Sequence, residues 1–144
     1  MTSGKTPHIL LLHPSCFFYP PWMERAELKT SLVWLASYLS RRFGVSYADF
    51  EQQIGRPNSP TQIRRYERQV RRFLLSQEFD ILAISCWTSL SYRATLSVAR
   101  ICRELFPEKL IVVGGYHVTA RPHEFDNGNG LFDCVVCGEG ELAL

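Results

Sequence analysis

Short apolar runs and helical patterns alternate along this chain, and the alternation restricts its fold more than any other feature. The first run, residues 8–13, contains no apolar/polar alternation, so a strand formed from it is expected to be buried on both faces. Further strands are predicted at residues 45–50, 81–86, 110–113 and 132–136. This order predicts an α/β fold: an open parallel sheet of about five strands with helices on both faces, in three αβα layers.

Apolar residues spaced three and four apart predict three helices between these strands. Gly44 is placed at the C-terminal cap of the first helix, and Thr61 at the N-cap of the second. The third helix is expected to bury Leu90 and to end before Pro107. The three apolar stripes are Leu28, Leu32, Leu35, Ala36, Leu39 and Phe43; Ile63, Tyr66, Val70, Phe73 and Leu74; and Leu90, Ala94, Val98, Ile101 and Leu105.

Length and composition indicate one domain, residues 1–144, that is 46% hydrophobic and 21% charged. The net charge of +2 gives no reason to expect nucleic acid or an anionic membrane as a partner. No apolar run approaches the roughly 20 residues that span a bilayer. The first seven residues lack the apolar stretch of a secretory signal, so a cytoplasmic location is predicted. A further helix is expected to begin near Leu144, which suggests the N-terminal part of a longer protein.

The five cysteines are odd in number and scattered, which is typical of reduced and mostly buried thiols. Cys134 and Cys137 have the spacing of half a zinc site. They form a single pair on a predicted strand, where residues three apart point to opposite faces. We therefore predict no metal ligands among them.

Small and hydroxylated residues follow three of the predicted strands. They are Ser85 with Thr88 and Ser89, the pair Gly114–Gly115, and the segment 138–141. Ligands of open α/β sheets bind beyond the carboxyl ends of the strands, where all three clusters meet. Turns also need glycines and caps simply to fold. Three clusters at one edge nevertheless favour a ligand crevice.

Other motifs point to no chemistry of their own. Residues 3–6 resemble the end of a P-loop but precede the first strand, and no G-x-G-x-x-G follows that strand. His117 and His123 have no matching nucleophile or carboxylate pair, so no catalytic residue is predicted. The arginine-rich face of the helix at 61–76 is interpreted as solvated, with RNA or a partner protein as the alternative.

Four segments, taken together in this order, resemble a known family. They are residues 9–14, 79–96, 111–124 with V-V-G-G-Y-H at 112–117, and 132–141 ending in G-E-G-E. The chain resembles the N-terminal cobalamin-binding domain of cobalamin-dependent radical SAM enzymes. The resemblance implies a flavodoxin-like (Rossmann-type) domain with the corrin ring over the carboxyl edge of the sheet. The nucleotide tail of the cofactor would descend between the loops.

The same resemblance implies which residues lie near the cofactor. The aromatic loop 17–22 would shield one face of the corrin. The predicted cofactor-binding residues are Pro14, Ser85, Thr88, Ser89, Gly114, Gly115, His117, Gly138, Glu139 and Gly140.

Two departures from related motifs qualify the expected chemistry. The loop after the first strand lacks the D-x-H-x-x-G motif, so cobalamin is expected without a histidine ligand from that motif. The cysteines lack C-x3-C-x2-C spacing, so an iron–sulfur cluster and S-adenosylmethionine would belong to a separate C-terminal radical SAM domain. The whole enzyme would transfer a methyl group or rearrange a ring. The alternatives are a flavodoxin-like regulatory or interaction domain without a cofactor, and a domain that binds a small nucleotide.

Overall fold

A computed structural model describes residues 4–20, 22, 29–126 and 128–143 of the chain. The strands in this part are β1 (His8–His13), β2 (Gly44–Asp49), β3 (Ile81–Ser85), β4 (Leu110–Gly114) and β5 (Cys134–Val135). The helices are α1 (Thr30–Leu39), α2 (Phe50–Gln53), α3 (Pro60–Leu75), α4 (Tyr92–Leu105) and α5 (Tyr116–Ala120). Short 3₁₀ turns cover Ser89–Ser91, Pro122–Glu124 and Gly140–Leu142.

The strands described form one five-stranded sheet in the order β2-β1-β3-β4-β5, and every neighbouring pair is parallel. This is the flavodoxin-like order, and it confirms the predicted α/β fold class. β2 lies on one side of β1, and β3, β4 and β5 lie on the other side. The direction in which strands are added therefore reverses between β1 and β3. Ligands of such sheets bind beyond the carboxyl ends of the strands at this switch.

Both faces of the sheet are buried, as the continuous apolar runs predict. In β1, Leu10 and Leu12 pack into the cluster beneath α3 and α4, whereas Ile9 and Leu11 pack into the cluster beneath α1. The first cluster is the larger and includes Tyr66 of α3, which is fully enclosed. Burial of this continuous apolar area on the α3–α4 side holds the sheet in place.

Three details of the predicted helices are wrong. The first helix ends at Leu39 with Ser40 as its C-cap, and Gly44 begins β2, where its hydrogen faces His8. A Cβ on Gly44 would lie 2.6 Å from His8 Nδ1. The N-cap of α3 is Ser59 rather than Thr61, because the Ser59 side chain accepts the backbone N–H of Gln62.

The third incorrect detail concerns Leu90. It lies in the 3₁₀ turn before α4 and is 38% exposed, so it does not belong to the buried stripe of that helix. At the other end of α4, Leu105 is the last helical residue, as Pro107 predicts. The first residue of the α1 stripe, Leu28, lies outside the described residues.

The last strand is shorter than predicted. Two residues, Cys134 and Val135, are assigned to β5, although backbone bonds from Asp133 to Ile111 and from Val136 to Val113 extend the pairing at both ends. Phe132 precedes the strand and packs against the α3–α4 cluster.

The cysteines divide according to their depth. Cys16, Cys86 and Cys102 are buried, and burial raises the pKa of Cys16 and of Cys102 to about 11. Cys134 and Cys137 are exposed beside the sheet edge. Among the residues described, no group of three His, Cys, Asp or Glu side chains could hold a metal ion. Within the same part of the chain, no helix has the length and apolar character needed to cross a membrane.

Candidate functional site

A cavity of about 640 Å³ opens at the carboxyl edge of the sheet. Its apolar wall is the sheet face beneath α1, represented by Leu11, Ala83 and Val112. Leu32 and Leu35 of α1 form the opposite side. A volume of this size lies within the range of roughly 300–1,000 Å³ that is usual for small-molecule and cofactor sites.

The structure brings six of the ten predicted cofactor-binding residues to this cavity, and all ten are among the described residues. They come from the carboxyl ends of β3 and β4 and from the segments that follow β4 and β5, which parallel pairing brings to one edge of the sheet. The six are Ser85, Gly114, Gly115, Gly138, Glu139 and Gly140.

The other four predicted residues lie outside the cavity wall. Pro14 is buried directly after β1, and Thr88 caps the 3₁₀ turn that begins with the exposed Ser89. His117 hydrogen-bonds Glu124 through Nε2 at 2.9 Å and packs edge-on against the rings of Tyr92 and Phe125. These contacts hold the α5 segment to the domain, and the predicted roles of all four residues toward a cofactor stay predictions.

The backbone requires glycine at position 115 but not at position 114. Gly115 has a φ of +117°, and a Cβ on it would lie 2.5 Å from the carbonyl oxygen of Cys86. The same carbonyl accepts the N–H of His117, so the chain itself requires a glycine at 115. At Gly114 a Cβ would meet Val136 at 3.5 Å, an ordinary contact, so the fold tolerates a side chain there.

One hydroxyl connects two of the loops that form the cavity. Thr119 Oγ1 donates to the carbonyl of Gly115 at 3.0 Å and accepts the N–H of Gly138 at 3.0 Å. Thr119 itself lines the cavity. It therefore fixes the separation of the two glycine-containing loops that face the ligand space. Sequence reasoning missed this residue because nothing in its local pattern signals a contact 19 residues away.

Among the described residues, the rim of the cavity carries two exposed aromatic rings and the cation of Lys29. Tyr116 is 77% exposed and Trp87 is 40% exposed, and both border the cavity. Lys29 Nζ lies 5.0 Å from the centre of the Trp87 ring, within the range of a cation–π contact. Both rings therefore present apolar surface to the solvent beside the cavity.

A buried polar cluster lies beside the cavity at the end of β1. Glu51 of α2 hydrogen-bonds His13 Nε2 at 3.1 Å and Arg56 Nε at 2.8 Å. Lys29 Nζ lies 3.9 Å from Glu51 Oε2. Burial alone would raise the pKa of Glu51, but these hydrogen bonds and the two cationic side chains lower it to about 2. Glu51 is therefore an ionised carboxylate at neutral pH. Its neighbour Asp49 caps α2 by accepting two backbone N–H groups.

The aromatic loop predicted to shield a corrin face is divided in the structure. Phe17 is buried in the α3–α4 cluster, with its ring 5.2 Å from that of Tyr66, so it is not available to a ligand. Phe18 and Trp22 are exposed, and Tyr19 stacks on Arg56. Pro21 lies outside the described residues.

The fold and the cavity together define a flavodoxin-like domain with an open cavity at the carboxyl edge of its sheet. The B12 binding domain family matches residues 29–144, and the chain belongs to that family. Vitamin B12 is cobalamin, so the match confirms the predicted resemblance. It supports a cofactor-binding role over the alternatives of a cofactor-free domain and a nucleotide-binding domain.

Two curated relatives share sequence with part of the chain. The cobalamin-dependent radical SAM methyltransferase TokK of Streptomyces tokunonensis is 39% identical over 67 residues, which are 46% of this chain and 10% of TokK. The 2-(S-pantetheinyl)-carbapenam-3-carboxylate methyltransferase of Streptantibioticus cattleyicolor is 42% identical over 65 residues, 45% of this chain and 9% of that protein. Each match therefore spans about a tenth of the relative.

A solved structure gives independent support for the fold. The radical S-adenosylmethionine methyltransferase TsrM of Kitasatospora setae superposes with a TM-score of 0.59 over 85% of this chain and 22% of its own, at 14% identity. That structure holds a tryptophan substrate and a SAM analogue. At this identity the likeness concerns the fold alone.

Proposed function

We propose that the cavity at the carboxyl edge receives the nucleotide tail of cobalamin while the corrin ring lies over the surrounding loops. The observation that carries the proposal is the position of the cavity. It lies at the switch in strand order and extends between α1 and the sheet face, with an opening bordered by loops after β3, β4 and β5.

The residues present fit this cofactor. The aromatic base of the tail needs an apolar slot, which Leu11, Leu35 and Val112 supply. The ribose and phosphate need polar partners, and the wall offers the hydroxyls of Ser85 and Thr30. Chemically, the wall therefore matches an amphipathic tail better than a uniformly apolar or uniformly charged ligand.

The glycine-containing loops keep this slot open. Gly114 leaves space beside Val136, and apart from its chain neighbours no atom of the described residues lies within 4 Å of a Cβ built on Gly138. A Cβ built on Gly140 would lie 3.3 Å from the side chain of Leu35, so the last loop passes close to α1. The cofactor-binding residues that we propose are Ser85, Gly114, Gly115, Gly138, Glu139 and Gly140.

The rim would support the ring rather than the tail. Trp87 and Tyr116 present exposed rings beside the opening, and packing of a flat macrocycle would remove both from water. The loop after β1 contains no D-x-H-x-x-G motif, so none of its residues is proposed as a cobalt ligand of that type.

We further propose that the chain serves within a longer cobalamin-dependent radical SAM enzyme. When bound, cobalamin supplies a methyl group carried by its cobalt. The residues described here bind the cofactor, orient it and exclude water. The iron–sulfur cluster, S-adenosylmethionine and the substrate would be held by a separate radical SAM domain. The two relatives named as methyltransferases support methyl transfer as the reaction.

Thermal unfolding tests the binding step. A ligand at 100 times its Kd stabilises the folded state by about 2.7 kcal/mol, so hydroxocobalamin should raise the Tm by roughly 5–10 °C. AMP and FMN serve as controls, since they contain a nucleotide but no corrin. A rise with either control and none with hydroxocobalamin would contradict the proposal and favour a nucleotide site.

A further inference from the structure

His13 is a fully buried histidine on the wall of the cavity. It is the last residue of β1, next to the switch in strand order, and it is 0% exposed. Residues alternate between the faces of a strand, so His13 shares the α1 face with Ile9 and Leu11. It therefore lies on the side of the sheet where the slot for the nucleotide tail is proposed.

The contact with Glu51 determines which ring nitrogen of His13 carries the proton. Glu51 Oε2 lies 3.1 Å from His13 Nε2, and the carboxylate also accepts from Arg56. An ionised carboxylate can only accept hydrogen bonds, so Nε2 must be the donor. In the neutral imidazole this leaves Nδ1 with a free lone pair, as an acceptor.

The other nitrogen of His13 has no hydrogen-bond partner among the described residues. Nδ1 is buried and makes no hydrogen bond within the described part of the chain. A buried acceptor without a donor is unfavourable and is rare in native proteins. Since the residue borders a ligand cavity, a donor group on the ligand would relieve this cost.

We infer that His13 Nδ1 accepts a hydrogen bond from a ribose hydroxyl of the nucleotide tail. This inference rests on the proposed function and names one specificity contact within it. The slot between α1 and the sheet face suits the narrow tail, whereas the wide corrin ring must stay at the rim. The donor that reaches His13 is therefore a hydroxyl of the tail rather than the cobalt.

Comparison of cobalamin with cobinamide tests the inference, because cobinamide keeps the corrin ring and lacks the nucleotide tail. Spectrophotometric titration of the purified protein gives the Kd for each. We expect His13→Leu to weaken cobalamin binding about 3- to 10-fold and to leave cobinamide binding unchanged. His13→Asn, which keeps an acceptor, should retain most of the cobalamin affinity.

His8 provides the matched control. It lies at the opposite end of β1, bonds Ser46 at 2.7 Å and does not border the cavity. His8→Leu removes the same chemistry from the same strand, so it should affect the two ligands equally. The Tm of each variant shows that it is folded.

The outcomes separate this inference from the proposed function. Suppose that the unmodified protein binds cobalamin. If His13→Leu then binds cobalamin and cobinamide as tightly as the unmodified protein, or loses affinity for both equally, the inference is overturned and the proposed function stands. A shift of the corrin absorption bands that His13→Leu abolishes would show cobalt ligation and would also overturn it. If the unmodified protein binds neither ligand, both proposals fail.

Discussion

Thr119 joins to Gly138 through a hydrogen bond of 3.0 Å from the glycine N–H to the threonine hydroxyl. The same hydroxyl donates to the carbonyl of Gly115, so a single side chain spans the loops that follow β4 and β5. Because both loops border the cavity, the width of the proposed cofactor slot depends on this contact.

Replacement of Thr119 should therefore affect binding more than folding. Thr119→Val keeps the shape and removes both hydrogen bonds, which should weaken cobalamin binding about 10-fold and lower the free energy of unfolding by roughly 1 kcal/mol. Thr119→Ser keeps the hydroxyl and should bind normally. Equal Kd values for the valine and serine variants, measured by titration, would contradict a positioning role.

Gly115 should be indispensable for folding. In Gly115→Ala the new Cβ would lie 2.5 Å from the Cys86 carbonyl at a φ of +117°, and both the clash and the backbone strain destabilise the native state. We expect a loss of about 3 kcal/mol or more in urea unfolding. A variant as stable as the unmodified protein would show that the backbone does not need glycine here.

Gly114 offers the matched comparison. Gly114→Ala places its Cβ in ordinary contact with Val136, so the Tm should change little. The methyl group would narrow the proposed slot and weaken cobalamin binding about 10-fold. Unchanged cobalamin affinity in a folded Gly114→Ala variant would mean that the tail does not pass this residue.

The buried carboxylate of Glu51 should make stability fall in acid. Its pKa is about 2 in the folded chain and near 4.5 when unfolded, so its contribution is complete above pH 4.5 and is lost as the pH falls toward 2. The loss should be of the order of 2 kcal/mol in urea unfolding. Glu51→Gln should be less stable at pH 6 and should have a flatter profile below pH 4.5. Parallel profiles for the two proteins would contradict this.

Thiol labelling tests the burial of the cysteines. Cys134 and Cys137 are exposed and should react with a disulfide reagent within minutes in the native protein. Cys16, Cys86 and Cys102 are buried, and burial raises the pKa of all three thiols, so they should react only after unfolding. Rapid reaction of all five native thiols would refute the packing described.

The fold could be predicted from sequence because its signal is local. Residues 9–12 of β1 are apolar without interruption, and a strand buried on both faces is the structure that such a run allows. Element ends were less predictable. Ser59 and Thr61 are both good N-caps by residue type, and Pro60, which suits the first helical turn, decides between them.

Sequence could predict the residues of the cavity only where they lie at or just after the ends of strands. Ser85 and Gly114 could be found this way, since parallel strands bring their carboxyl ends together. Lys29 and Thr119 could not, because their positions depend on how α1 and α5 pack. The glycine at 115 was predicted as space for a ligand, whereas its first cause is the Cys86 carbonyl, a contact that sequence does not reveal.

The most direct test of the central claim is an absorption spectrum of the purified protein after mixing with excess hydroxocobalamin and desalting. We predict corrin bands that elute with the protein in near-stoichiometric amount. The His8→Leu variant should retain them, because His8 does not border the cavity. A colourless protein, with all corrin in the small-molecule fraction, would contradict the claim that this cavity holds cobalamin.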